Sequence, residues 1–213
     1  MSATATAKKR SGKAKSAQTE FDWEQIAYLV QVSRAMDDIE ETKLVPSKDV
    51  LYQFSARGHD VAQIMLGSLL TEPHDATCGY YRSRPMLLSL GVDLEDAMAG
   101  PLGRSGGYSD GRDIGVVFNY PNPGGTSALP MCGGVGAQYT PCAGWAQAVE
   151  YYRTVLKDDT YKRSIAVVLG GDGSVATNGF WSALTMATTL KLPILFYIED
   201  LSLIHISEPT RPY

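Results

Sequence analysis

A glycine-flanked acid at the end of an apolar run is the first place where this sequence offers chemistry. Gly170-Gly171-Asp172-Gly173-Ser174 closes the run Ser164 to Gly170 (SIAVVLG), and Pro193 to Ile198 (PILFYI) stops in a similar way at Glu199-Asp200. Glycines let a backbone come close to a ligand, and their N–H groups can face phosphate oxygens. An Asp between them can hold a hard cation, since Mg2+ takes one or two protein oxygens and completes its octahedron with phosphate and water. In open α/β sheets, ligands sit beyond the carboxyl ends of the strands. The two run ends therefore suit a Mg2+–diphosphate site, with Asp172 as metal ligand and a second ligand at the neighbouring strand end. The same five residues also suit a tight turn in which Asp172 caps the next helix.

Both apolar runs are short and continuous, which fits strands buried on both faces of a parallel sheet. Asn178 to Leu190 between them reads as a helix, so the three segments form a βαβ crossover. Upstream, Gly133 to Leu156 begins Gly-rich and continues as a long helix, with Trp145, Ala148, Val149 and Tyr152 toward the core. Residues 20–42 read as a helix from the spacing of Trp23, Ile26, Leu29, Val30, Met36 and Ile39, and Pro46 ends it. Gly58 to Leu70 is a second helix with Val61, Ile64, Met65 and Leu69 inward, and a short third one starts at Asp93 as N-cap. Residues 100–130, rich in Gly, Pro, Ser, Tyr and Asn, form a long irregular segment of the kind that is functional or disordered. Trp23, Trp145 and Trp181 are expected in the core rather than in a substrate pocket. The fold class is α/β, a parallel sheet flanked by helices.

The chain has 213 residues, 44% hydrophobic and 20% charged, which suits one soluble domain or a piece of a larger one. A net charge of −4, with no Lys/Arg stripe in the folded part, argues against nucleic acid. No apolar run approaches the roughly 18–20 residues of a membrane span. Cys78, Cys132 and Cys142 make no CxxC pair, which suits a reducing compartment and argues against a disulfide scaffold or zinc site. Residues 1–19 carry Lys8, Lys9, Arg10, Lys13 and Lys15, no acid and no large apolar residue. They read as a disordered basic tail, without the apolar stretch of a secretory signal or the arginines and apolar face of a transit peptide. A cytoplasmic, bacterial-type protein is expected ahead of a mitochondrial-matrix one.

The run GGDGSVATNGFWSALTMATTLKLPILFYIED resembles the α subunit of the decarboxylating component of 2-oxo acid dehydrogenase complexes. That family carries a thiamine-diphosphate signature of GDG, a spacer of roughly thirty residues, then Asn. The Asn falls at position 201, which here is Leu201. Leu201 to Arg211 (LSLIHISEPTR) looks like the translation of a transposase adapter from short-read library preparation, and the resemblance breaks off after Asp200. Residues 201–213 are therefore expected to be a non-native tail, and the chain a truncated, inactive front part. Over residues 20–200 other matches carry the resemblance. Gly58-His59-Asp60 resembles the family's Gly-His-Glu or Gly-Gln-Glu step. Tyr80-Tyr81-Arg82 resembles a Tyr-Arg pair that binds the diphosphate, which puts that role on Tyr81 and Arg82, Arg supplying a fixed donor fork. Gly133-Gly134-Val135-Gly136-Ala137-Gln138 resembles the segment that meets the aminopyrimidine ring, where Val135 matches the apolar residue that keeps the cofactor bent.

The resemblance implies a thiamine-diphosphate-binding fold with thiamine diphosphate and Mg2+ as cofactors. Gly133, Val135, Gly171, Asp172, Gly173 and Ser174 join Tyr81 and Arg82 as cofactor-binding residues. His59 would approach the substrate carboxylate or the cofactor, or serve only the helix start. The chain would anchor diphosphate and metal, while a β half, separate or fused downstream, supplies the acid that activates the pyrimidine. An α2β2-type assembly would pass the acyl group of a branched-chain 2-oxo acid, or of pyruvate, to a lipoyl-bearing acyltransferase. An acetoin-cleaving dehydrogenase, a transketolase relative and a non-catalytic scaffold that kept the fold stay open beside this reading.

Overall fold

The computed structural model describes residues 20–51, 53–112 and 118–202. The expected basic tail (1–19) lies outside them, as does all of the adapter-like segment beyond Ser202. Strand β1 spans Ala76–Cys78, β2 Ser127–Ala128, β3 Ala166–Gly171 and β4 Ile194–Glu199. They form one parallel sheet in the order β2-β1-β3-β4. After β1 the chain runs to β2 on one side and then returns to β3 on the other. That reversal opens a crevice at the carboxyl ends of β1 and β3, the usual ligand position in such sheets.

All six residues of β3 are buried, because helices cover both faces. Ala166 and Val168 join the cluster of α5 (Tyr139–Thr154) and α6 (Asn178–Leu190), with Tyr139, Cys142, Ala146, Phe180 and Ala183. Val167 and Leu169 face the other way, toward Leu70, Tyr80 and Met86, as the alternation of a strand requires. Each fully buried Val or Leu here contributes roughly 1.5–3 kcal/mol. Asp75 fixes the amino ends: its carboxylate accepts from Ile165 N at 2.8 Å and Glu72 N at 2.9 Å. Strand β4 departs from expectation. It was read as buried on both faces, yet Leu195 and Ile198 are exposed, because no described strand lies beyond it.

The remaining helices are α1 (Trp23–Ile39), α2 (Asp60–Ser68), α3 (Arg84–Ser89) and α4 (Leu94–Leu102), and Met86 of α3 packs with Val167 and Leu169 of β3. The Asp22 side chain caps α1 by accepting from Gln25 N at 3.0 Å. Helix α1 continues into a π-helical turn at Glu40–Leu44. Asp93 caps α4 as expected, accepting from Glu95 N at 2.7 Å. Buried Arg84 ties α3 to α1, pairing with Glu40 at 2.5 Å and Asp37 at 3.3 Å. Several inward faces differ from the sequence reading. In α2 the buried stripe is Asp60, Gln63, Ile64 and Gly67, while Val61 and Leu69 are exposed. Helix α5 buries Ala146 and Val149 but leaves Ala148 and Tyr152 outside. In α1, Ile26, Val30 and Met36 are buried, while Ile39 is exposed. Trp23 and Trp181 are 60% and 56% exposed, so neither is a core residue. Trp145 is half-buried, and its indole N–H donates to His74 O at 2.9 Å.

Candidate functional site

A cavity of ≈ 210 Å³ opens where the carboxyl ends of all four strands converge. Tyr80 and Tyr81 come from the turn after β1, and Cys132, Gly134, Val135 and Gly136 from the segment after β2. Gly171, Gly173 and Ser174 follow β3, and Leu201 follows β4. Of the expected residues, Tyr81, Val135, Gly171, Gly173 and Ser174 thus share one wall-lined space. Gly133, Arg82 and Asp172 adjoin lining residues in the chain without being in the lining themselves. His59 does not line it; it sits half-buried at the start of α2, with no side-chain capping bond.

Local folding explains the cavity's shape. Asp172–Ala176 is a 3-10 turn, and Thr177, not Asp172, caps α6 by accepting from Phe180 N at 3.4 Å. The capping alternative for Asp172 is thereby set aside. Gly136 has φ +82, in the left-handed region that favours glycine. Its backbone also lies against α6: a Cβ on Gly179 would come within 2.5 Å of Gly136 O. Gly173 is different. Its φ is not in the left-handed region, and a Cβ there would meet nothing within 4 Å. Neither backbone strain nor a protein neighbour requires glycine at 173, so the absent side chain leaves room on the ligand side. Val135 is 60% exposed while lining the cavity, an apolar surface presented to an occupant.

The polar groups divide into occupied and available ones. The Ser174 hydroxyl donates to Gly171 O at 2.5 Å and contacts Tyr139 Oη at 2.5 Å. Its proton therefore closes the turn, and Tyr139 is the donor to it; what Ser174 has left for a ligand is its backbone. Burial raises the Tyr139 hydroxyl above its ordinary pKa, with Ser174 pulling the other way. Arg82 Nη1 donates to Ser55 O at 2.7 Å, and the guanidinium carbon lies 5.5 Å from the Phe54 and Tyr81 ring centroids. Its Nε is buried and has no hydrogen-bond partner among the described residues. Asp172 accepts only from Leu201 N among the described residues, at 3.3 Å, and makes no ion pair there. No group of three or more His, Cys, Asp or Glu among the described residues could hold a metal. A lone carboxylate fits a cation whose other ligands arrive with a phosphate. The residues present thus fit a diphosphate with a divalent ion.

Sequence reasoning missed Gln63, and it placed Glu199 only at the strand end expected to bring a second metal ligand and Tyr80 only beside Tyr81; the three form one network at this cavity. Glu199, 2% exposed at the end of β4, accepts from Gln63 Nε2 at 2.7 Å and from the Tyr80 hydroxyl. Burial, and then the nearby Glu199, push the Tyr80 hydroxyl far above its ordinary pKa, so it remains a donor. A polar Gln63 within the inward stripe of α2 was the available signal.

Comparison with known proteins shows the family. The family described as "Dehydrogenase E1 component" matches residues 28–200. The pyruvate dehydrogenase E1 component subunit alpha of Porphyra purpurea is 29% identical over 134 residues, covering 62% of this chain and 37% of the relative. The subunit of the same name from Mycoplasma genitalium is 25% identical over 174 residues, 81% and 42% of the two chains. That of Zymomonas mobilis is 30% identical over 146 residues, 67% and 37%. The chain therefore spans well under half the length of these curated relatives.

Proposed function

The chain belongs to the dehydrogenase E1 component family, and from that premise we propose that it forms the diphosphate- and Mg2+-binding half of a thiamine-diphosphate-dependent 2-oxo acid dehydrogenase. The observation that carries the proposal is the convergence of four strand ends on one cavity. Its walls combine open backbone at Gly173, an apolar Val135 and a neighbouring Asp172 that has no cation partner among the described residues. The relatives named above are pyruvate dehydrogenase subunits, which makes pyruvate the first substrate to test and a branched-chain 2-oxo acid the second.

When bound, thiamine diphosphate supplies a thiazolium that takes up the electron pair released as carbon dioxide leaves. The chain's own residues bind and orient. Arg82, next to the cavity wall, would meet a phosphate oxygen with its guanidinium, whose plane Ser55 O and the Phe54 ring fix. Asp172 holds the divalent ion, and the N–H groups of the Gly171–Ser174 segment meet the phosphates. Gly133 would give backbone access beside Val135, whose isopropyl group would offer the cofactor an apolar contact. Tyr81 closes the wall next to Arg82. His59 receives no step, because it does not line the cavity. A β half would supply the acid acting on the pyrimidine, and a lipoyl-bearing acyltransferase would take the acyl group. A cytoplasmic setting belongs to the same proposal.

Calorimetry on the complete protein tests it. Thiamine diphosphate is expected to bind with Mg2+ and not without it, and Asp172→Ala to remove the binding. Equal affinity with and without the metal refutes the site.

A further inference from the structure

The turn carrying Tyr81 and Arg82 follows a strand of only three residues, so the sheet ladder alone holds it weakly. Its internal bonds, Ser83 N to Tyr80 O at 2.8 Å and Tyr80 N to Ser83 Oγ at 3.0 Å, close it on itself. What fastens it to the opposite side of the site is the buried carboxylate of Glu199. One oxygen accepts from the Tyr80 hydroxyl and the other from Gln63 Nε2 at 2.7 Å. Fully buried Gln63 spends its second amide hydrogen on Arg82 O at 3.1 Å, and its Oε1 accepts from Met86 N at 3.4 Å. Tyr80 packs edge-on against Tyr81, 5.1 Å between ring centroids, and the Tyr81 ring flanks the Arg82 guanidinium. Among the described residues no cation pairs with Glu199. On its own strand, Glu199 is in register with Gly171, two residues before the amide that meets Asp172.

We infer that Glu199 is a positioning residue for cofactor binding: its two carboxylate oxygens lock the Arg82 turn to the strand ends that carry Asp172, so that phosphate and metal are met at one fixed spacing. The inference rests on the diphosphate reading of the cavity. It differs from a plain stability role because it acts through Arg82. Removing a hydrogen-bond partner from a buried carboxylate has a cost wherever it sits, but only a positioning residue loses its effect on binding when the group it positions is gone.

The test is a double-mutant cycle on the complete protein. Glu199→Gln is nearly isosteric, yet it removes the charge and replaces one of the two acceptor oxygens that Gln63 and Tyr80 donate to with an amide donor. Calorimetry measures the Kd of thiamine diphosphate with Mg2+ for wild type, Glu199→Gln, Arg82→Ala and the double variant, beside the apo Tm of each. The expected result is binding weakened about tenfold by Glu199→Gln in the wild-type background and by far less in the Arg82→Ala background. Equal weakening in both backgrounds, or a lowered Tm with unchanged Kd, overturns the inference. Should Glu199→Gln not fold, Tyr80→Phe removes one donor alone and carries the same cycle with the same two readings. Wild type that binds no thiamine diphosphate overturns the diphosphate reading and this inference with it; wild type that binds, with variants indistinguishable from it, overturns the inference alone.

Discussion

The backbone amide of Leu201 donates to the carboxylate of Asp172 at 3.3 Å, across 29 positions of sequence. Parallel pairing brings the two together: Gly171 lies opposite Glu199, so the residues just beyond each strand end become neighbours. The expected adjacency of two strand ends is therefore a property of the sheet. At 201, however, the side chain is apolar, and it lies over the glycine: a Cβ on Gly171 would come within 2.7 Å of Leu201 Cδ1.

Leu201→Asn is accordingly expected to tighten Mg2+ in the presence of thiamine diphosphate, because it places an amide oxygen beside Asp172 where a hard cation needs oxygen ligands. Titrating the metal at saturating cofactor measures the change. An unchanged or weaker metal affinity removes position 201 from the metal's surroundings.

Gly173→Ala separates ligand requirements from folding requirements. Among the described residues no atom lies within 4 Å of the added Cβ, and φ at 173 is outside the left-handed region. The apo Tm is expected to stay within the small shift of an unstrained substitution, about 0.5 kcal/mol or less. Thiamine diphosphate affinity is expected to fall, since the methyl group stands where the phosphates approach the backbone. A variant that binds as tightly as wild type shows that the phosphates sit elsewhere.

The glycine-rich motifs and the long periodic elements were legible because their signals are local. Strand β3, helix α6 and the Asp93 cap each follow from a continuous run, a 3.6-residue period or a single capping residue. Strands β1 and β2, three and two residues long, are too short to show any period. Helix α2 misled in a different way. Its inward stripe carries Asp60 and Gln63, so hydrophobicity pointed to Val61 and Leu69 instead. The Glu199 network joins residues 119 and 136 positions apart, and no single-chain pattern announces such a pairing. Tyr80 stood beside Tyr81 in a motif already quoted, and Glu199 belonged to the strand end expected to bring a second metal ligand, whereas in the structure its carboxylate accepts from Gln63 and Tyr80.

Thiol chemistry reads the cavity directly. Cys78 and Cys142 are fully buried, and burial pushes Cys78 up to about 12 and Cys142 well above its ordinary value. The thiolate is the reactive species, so both are expected to stay unmodified by a maleimide at neutral pH. Cys132 is exposed and lines the cavity; it is expected to label quickly, and more slowly with thiamine diphosphate and Mg2+ bound. Peptide mass mapping gives the sites. Cofactor without effect on Cys132 labelling places the cofactor away from this cavity.

The ion pairs behind the site make stability depend on pH. Burial raises the Glu40 carboxyl above its ordinary 4.5; Arg84 opposes that, while Asp37 and Glu41 add to it. Glu40 Oε2 and Arg84 Nε are also buried without hydrogen-bond partners among the described residues, so the pairing leaves part of the desolvation uncompensated. A carboxyl whose folded pKa lies above its unfolded value favours the fold while protonated. Its contribution is complete below the unfolded value and is lost as pH rises through the folded one. Asp75, raised chiefly by burial, acts in the same direction. Between about pH 5 and pH 7 the wild-type protein is therefore expected to lose more stability than Glu40→Gln, which carries no proton to release. Urea unfolding midpoints at the two pH values measure the difference in slope. Parallel loss in the two proteins shows that Arg84 compensates the Glu40 charge in full, and that the buried pair is neutral toward pH.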